Sequence, residues 1–149
     1  MILSITPWAR CLIFSAWNTL SINAGQATEI DMKSVALNEG EGRTRLSLSA
    51  YKIGNDLVVC LFNQHGHIGA VAVADYHAES GRTSTSVITR AGHKDDLLAV
   101  ASAYRICKRL KAPVCVIAGV HVDRITKKEI TQIKRNCERL VDRFLQRYF

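Results

Sequence analysis

The chain lacks the short motifs that most directly identify a function. It has no Gly-x-Gly-x-x-Gly fingerprint and no Walker loop, so nucleotide binding cannot be argued from either motif. None of its five cysteines forms a Cys-x-x-Cys pair, and four of them lie in apolar or helical patterns. This usage favours reduced thiols over a disulfide framework, so we expect a cytoplasmic protein.

Length and charge set the broad class. A chain of 149 residues is long enough for one domain that buries roughly two thirds of its unfolded surface. The formal net charge of +7 suits phosphate-bearing or acidic partners, although a charged fraction of 22% is ordinary. Because no helix-turn-helix, zinc finger or aromatic-basic pattern occurs, we expect no nucleic-acid binding.

Residues 1–31 differ in composition from the rest of the chain. Arg10 precedes an apolar run at 11–14 that is too short to span a bilayer, so we expect no membrane association. Residues 24–27 make only a poor cleavage site. We expect a disordered extension, or an incorrectly assigned start, over residues 1–31 and a single domain over residues 32–149 that begins at Met32. A signal peptide and an ordered interaction arm are the alternatives.

Four segments before the first helix read as strands. Leu46 and Leu48 alternate with polar residues over 43–50, and residues 57–62 return after a turn at 54–56. The small residues of 67–74 predict a central strand that a backbone, helix or ligand can approach closely. A polar loop at 75–84 then precedes a fourth strand at 85–89.

Two helices follow, separated by one strand. The first is predicted from near Asp95 to near Lys111, because Pro113 prevents continuation. The continuous apolar run at 114–118 predicts a strand that is buried on both faces. A capping box from Thr126 to Glu129 starts the last helix. The stripe of the first helix predicted to face the sheet contains Leu97, Val100, Ala101, Tyr104 and Cys107.

The order of these elements predicts an α+β fold. Strands joined by hairpins and followed by helices favour a largely antiparallel sheet over a doubly wound one. We therefore predict about five or six strands and two helices, in the order ββββ-α-β-α.

Two polar signatures, at 92–96 and 119–123, mark the candidate site. Each lies where a strand ends and a helix begins, a position at which ligand groups commonly gather. Amides at the start of the first helix, together with Lys94, can hold a phosphate. The alternative is that an aspartate caps the helix while His93 binds a loop carbonyl, and that Asp123 binds turn amides. For the second signature, a hydrogen-bonded pair of His121 and Asp123 is equally open.

The five histidines also raise the question of a metal site. His65 and His67 alternate and would point the same way in an extended segment, and they could converge with an aspartate. No tight spacing such as His-Glu-x-x-His occurs, and no serine or cysteine has an activating context. We therefore predict neither a metal ligand nor a catalytic residue.

Three segments, taken together and in this order, resemble the LpdD-like family. They are His-Ile-Gly-Ala-Val-Ala-Val-Ala at 67–74, Gly-His-Lys-Asp-Asp at 92–96, and Gly-Val-His-Val-Asp at 119–123 with Ile-Thr-Lys-Lys-Glu-Ile at 125–130. The family consists of small proteins associated with UbiD-type decarboxylases, described as prenylated flavin chaperones and similar in fold to proteasome assembling chaperones. The resemblance covers about residues 46–140 and excludes 1–31.

The resemblance implies a homodimeric chaperone, not an enzyme, that binds prenylated FMN and assists a UbiD-type decarboxylase. We assign the ring to space near Gly69, Ala70 and Ala72, and the phosphate to amides at 92–94. The complete set of candidate cofactor-binding residues is His67, Gly69, Gly92, His93, Lys94, Asp95, Asp96, Gly119, His121 and Asp123.

Two other functions stay open. One is an assembly chaperone that binds a partner protein without a cofactor, through basic residues such as Arg135, Arg139 and Arg143. The other is a small metal-dependent hydrolase.

Overall fold

The computed structural model describes residues 35–148, which form a six-stranded mixed sheet and two α-helices. The strands are β1 (Val35–Glu39), β2 (Leu46–Ile53), β3 (Asp56–Phe62), β4 (Ala70–His77), β5 (Arg82–Thr89) and β6 (Val114–Gly119). Helix α1 (Asp96–Leu110) lies between β5 and β6 in the chain, and α2 (Lys127–Tyr148) follows β6. The predicted extension over residues 1–31 lies outside the described residues.

The strand order across the sheet is β1-β2-β3-β6-β4-β5. Every neighbouring pair is antiparallel except β3 with β6, which is parallel. The predicted α+β class with a largely antiparallel sheet and two helices is therefore confirmed.

The predicted order ββββ-α-β-α omits one strand. The structure has five strands before α1, because β1 pairs with β2 at the edge of the sheet. Leu37 is the one fully buried residue of β1, so this short strand carries almost no alternating pattern.

Both helices cover the same face of the sheet. Helix α1 packs on β4, β5 and β6, and α2 packs on β1 and β2. The inward positions of β4 are alanines, and all of them are fully buried beneath α1. The small residues predicted to leave space for a flavin ring at Ala70 and Ala72 therefore admit a helix instead.

Helix α1 turns a different stripe toward the sheet from the one predicted. Leu97 is 59% exposed and Tyr104 is 40% exposed. Both stripes recur at helical spacing, so periodicity alone does not choose between them. The stripe with small side chains lets α1 lie close to the alanines of β4, and it is the buried one: Ala99, Ser102, Ala103, Ile106 and Cys107.

Three predicted boundaries also differ from the structure. Residues 43–44 belong to a short 3-10 turn before β2, and residues 67–69 form a loop before β4. The predicted loop at 75–84 is mostly the hairpin of β4 and β5, with a turn at 78–81. Because β5 is an edge strand exposed along most of its length, its serines and threonines leave no burial pattern to read.

The apolar strand β6 is covered on one face only. Val114, Val116 and Ala118 are buried against the helices, whereas Cys115 and Ile117 point to the opposite side and are half-buried. Within residues 35–148, β6 is therefore not buried on both faces as predicted. No helix of residues 35–148 covers that side of the sheet, called here the open face: Val58, Cys60, Phe62, Val71, Val73, Ile88, Cys115 and Ile117.

The predicted capping box at the start of α2 is confirmed. Glu129 Oε2 accepts hydrogen bonds from the Thr126 backbone N–H at 2.8 Å and from its hydroxyl at 2.9 Å. In return, the Glu129 backbone N–H donates to Thr126 Oγ1 at 3.2 Å. These bonds, the one from the Thr126 backbone first, lower the pKa of the Glu129 carboxyl.

Between residues 35 and 148, neither helix has the combination of length and apolar composition that crossing a bilayer requires.

Candidate functional site

The topology brings three loops to one edge of the sheet. Strands β3 and β6 are parallel, and β5 runs in the same direction because β5 and β6 are both antiparallel to β4. Their carboxyl ends therefore meet at one edge, called here the site edge. The loops that leave it, together with the last residue of β6, contain most of the predicted residues: His67, Gly69, Gly92, His93, Lys94, Asp95, Gly119, His121 and Asp123.

Two imidazoles and a carboxylate meet at the site edge. His67 Nε2 lies 2.8 Å from His93 Nδ1, and His93 Nδ1 lies 3.6 Å from Asp95 Oδ2. The Asp95 side chain is only 8% exposed, while the His93 side chain is 26% exposed. These three residues are called here the His-His-Asp cluster.

Asp95 does not cap α1, although it occupies the residue before the helix. Its side chain makes no capping hydrogen bond. Instead, Asp95 Oδ1 accepts a hydrogen bond of 2.9 Å from the Val120 backbone N–H. His93 contacts His67 rather than a loop carbonyl. Asp95 is therefore not the capping aspartate, and it links the two polar signatures directly.

Two glycines make room for the cluster. A Cβ at Gly69 would lie 1.9 Å from Asp95 Oδ2, and a Cβ at Gly119 would lie 1.4 Å from the His67 carbonyl oxygen. Neither glycine has a positive φ, so the requirement is space rather than backbone conformation. The Gly69 N–H donates to the Ala118 carbonyl at 2.9 Å, which fixes this loop against the end of β6.

Asn63 clamps the second signature to the end of β3. The buried Asn63 donates from Nδ2 to the His121 carbonyl at 2.8 Å and accepts from the His121 N–H at 3.1 Å. The His121 ring lies 5.8 Å from the His67 ring between centroids, and its Nε2 is 3.1 Å from Asp123 Oδ1. The predicted pairing of His121 with Asp123 is present. The sequence signal for Asn63 was only its position directly after a buried strand.

A pocket of about 730 Å³ opens at the same edge. His65, His121 and Asp123 line it, together with two arginines from the segment before β2. Arg43 is engaged, since its Nε lies 3.4 Å from Glu129 Oε1 and its guanidinium donates to the Asp123 carbonyl. The guanidinium of the exposed Arg45 has no hydrogen bond or ion pair with any residue between 35 and 148, whereas its backbone N–H donates to the Gly42 carbonyl at 3.3 Å. The sequence pattern placed Arg45 only on the outer face of a strand and did not connect it with the site.

The remaining predicted residues, Gly92, Lys94 and Asp96, lie outside both the pocket and the His-His-Asp cluster. Gly92 has a φ of +81° in an exposed turn, and Lys94 is exposed. The His93 N–H donates to the Arg90 carbonyl at 3.1 Å, so this amide is not free for the predicted phosphate contact. Asp96 begins α1, where its charge suits the helix dipole.

Comparisons with known proteins bear on the family and on the fold of the chain. A family model described as the prenylated flavin chaperone LpdD-like domain matches residues 40–148. No curated protein sequence matches the chain significantly. Among solved structures, the chain is similar to one in the crystal structure of a novel chaperone complex for yeast 20S proteasome assembly, with a TM-score of 0.52. The sequence identity is 16% over 77% of this chain and 93% of that chain, so the likeness concerns the fold alone.

Proposed function

Because the chain belongs to the family of prenylated flavin chaperone LpdD-like domains, we propose that it binds prenylated FMN and helps this cofactor reach a UbiD-type decarboxylase. The observation that carries the proposal is the pocket at the site edge, which has an available guanidinium in Arg45. Its volume of about 730 Å³ is that of a ligand pocket rather than a surface dimple.

Arg45 meets the need for a phosphate contact better than the predicted amides do. A guanidinium presents several donors in a planar fork that fits a phosphate group. Arg43 is already held by Glu129, so it stiffens the pocket wall while Arg45 stays available. The imidazoles of His65 and His121 then offer flat surfaces for the ring system.

We propose a carrier rather than an enzyme. Burial raises the pKa of the Cys60, Cys115 and Cys137 thiols, which keeps them in the weakly nucleophilic thiol form. Free thiols also suit the cytoplasm, where we expect the decarboxylase partner to be matured.

A homodimer through the open face completes the proposal. Residues 35–148 leave apolar side chains uncovered there, with Val73 50% exposed and Ile88 78% exposed. Apolar patches of this kind mark protein interfaces, and two sheets can pack face to face about 10 Å apart. A second copy supplies the same flat surface under two-fold symmetry. The continuous apolar sequence of β6 would then be buried on both faces.

The alternative of an assembly factor that acts through a basic face of α2 has less support. Arg143 Nη1 lies 2.7 Å from Glu39 Oε2, and Arg139 Nη1 lies 3.8 Å from Glu39 Oε1. Two of the three arginines that would form this face therefore hold β1 against α2 within the chain.

Equilibrium binding of prenylated FMN tests the proposal. The full chain should quench or shift the flavin spectrum on titration, and Arg45→Ala should weaken binding about tenfold or more, because hydrogen bonds to charged groups contribute about 1.5–3 kcal/mol. Arg135→Ala is the matched control, since Arg135 is exposed on α2 and away from the pocket. Absence of saturable binding to the unsubstituted chain would refute the function, whereas equal binding by Arg45→Ala would refute the pocket.

A further inference from the structure

We propose that the His-His-Asp cluster binds a divalent transition-metal ion of the zinc type. The three candidate ligand atoms, one from each side chain, all lie within 4.8 Å of one another. Two imidazoles and a carboxylate are a common ligand set for such ions, with a further position open to water or a ligand. The inference does not depend on flavin binding, because the cluster stands on its own geometry.

The spacing of the ligand atoms fits a single ion. Tetrahedral bonds of about 2.0–2.1 Å put neighbouring ligand atoms about 3.3 Å apart. The separation of 2.8 Å between His67 Nε2 and His93 Nδ1 is slightly shorter, and that of 3.6 Å between His93 Nδ1 and Asp95 Oδ2 is slightly longer. Small rotations of the two rings therefore open the space for an ion.

The electrostatics of Asp95 favour a cation at this point. A buried carboxylate is costly unless a positive charge or several donors compensate it. Asp95 Oδ1 is satisfied by the Val120 N–H, but Oδ2 has no hydrogen bond within the described part of the chain. Oδ2 instead faces the two imidazoles. The Val120 bond also orients the carboxylate, as outer partners of metal ligands commonly do.

The backbone holds the ligands before any ion arrives. Gly119 admits the His67 carbonyl, and Gly69 admits the Asp95 carboxylate. On the other side, Arg90 donates from Nη1 to the Ile68 carbonyl at 2.8 Å and from its N–H to the Gly69 carbonyl at 2.9 Å. Hydrogen bonds to β6 and to Arg90 therefore hold the loop before β4 in place. Less conformational entropy is then lost when His67 coordinates an ion.

The ligand set also predicts which ions bind. Two nitrogens and one carboxylate oxygen suit Zn²⁺ and Co²⁺, whereas Mg²⁺ and Ca²⁺ prefer oxygen ligands. The His121 ring lies 5.8 Å from the His67 ring, so an open coordination position on that side would face the pocket.

Calorimetry on the untagged full chain, freed of metal and flavin, tests the inference with ZnCl₂, CoCl₂ and MgCl₂ as probes. We expect one Zn²⁺ or Co²⁺ per chain, a Co²⁺ visible spectrum of a low-coordinate site, and no saturable Mg²⁺ binding. His93→Ala and Asp95→Asn should each weaken Zn²⁺ binding by more than about 100-fold, beyond the cost of losing an outer partner. Asp95→Asn keeps the side-chain shape and an acceptor for Val120.

Matched controls are Asp96→Asn, adjacent in sequence but outside the cluster, and His77→Ala at the opposite edge of the sheet. Both should bind Zn²⁺ as the unsubstituted chain does. Absence of stoichiometric Zn²⁺ or Co²⁺ binding overturns the inference. So does equal binding by Asp95→Asn in protein whose circular dichroism is unchanged, or equal loss in the His77→Ala control. Flavin-free protein is used throughout, so a failure of flavin binding leaves this result interpretable.

Discussion

Asp95 precedes α1 at a position where aspartate ordinarily accepts a hydrogen bond from the amides of its own helix. Here its carboxylate accepts from Val120, which follows β6, and faces His93. One buried side chain thereby connects the start of α1 with two loops of the site edge. The part-buried N–H of Val120 thus has Asp95 as its hydrogen-bond acceptor.

The fit of Asp95 against Gly69 gives a prediction about stability. In Gly69→Ala, the new methyl group would lie 1.9 Å from Asp95 Oδ2, so the carboxylate must move. We expect a loss of about 1–3 kcal/mol in the free energy of unfolding, as for other overpacked sites. Urea denaturation followed by circular dichroism measures it.

The double variant Gly69→Ala with Asp95→Ala serves as the control for this clash. Removing the carboxylate relieves the overlap, so the two losses should not add. Additive losses would mean that Gly69 is needed for another reason.

The elements show which parts of the fold can be predicted from sequence. Helix α2 was predictable because its capping box and its buried Ile133, Cys137, Leu140 and Phe144 act locally. Strand β1 was not predicted, and β5 was predicted only over residues 85–89, since both are edge strands and bury few side chains. The position of His67 in a loop follows from Gly119 and Ala118, which are distant in sequence.

The candidate site was predictable to a similar extent. His93 and His121 could be assigned to strand ends because glycines and apolar runs mark those ends. The contact between His67 and His93 could not, and neither could the role of Arg45. The first depends on where β4 pairs in the sheet, and the second depends on where β2 pairs. No local sequence pattern encodes either pairing.

The capping box of α2 carries a prediction about pH. The lowered pKa of Glu129 means that its contribution to stability is fully present above the ordinary glutamate pKa and is lost as pH falls through the lowered value. Glu129→Gln should therefore be less stable than the unsubstituted chain at neutral pH, and the difference should disappear in acid. Denaturant unfolding between neutral pH and about pH 3 measures it. A difference that persists or grows on acidification would contradict the assignment.

At the scale of the whole molecule, the helices between residues 35 and 148 cover one side of the sheet, and both sides carry apolar side chains. The open face therefore predicts the oligomeric state. Analytical ultracentrifugation should give twice the chain mass, and Val73→Glu should shift the equilibrium to monomer, because it buries a charge between the sheets. Leu97→Glu is the matched control, since Leu97 is 59% exposed on α1, on the other side of the sheet. A monomer at micromolar concentration, or equal dissociation in both variants, would rule out this interface.

The pocket and the open face adjoin, because Ser47 lines the pocket and is the strand partner of Phe62 on the open face. The pocket and the cluster share the site edge, where His121 borders both.

The most direct test of the account is what the protein carries when it is made together with its cofactor. The full chain should be co-expressed with a flavin prenylating enzyme and a UbiD-type decarboxylase, then examined by native mass spectrometry and absorption spectroscopy. We predict a bound mass equal to prenylated FMN, with a matching flavin spectrum that is diminished in Arg45→Ala. A chain recovered without flavin from cells whose decarboxylase is loaded with the cofactor would contradict the account.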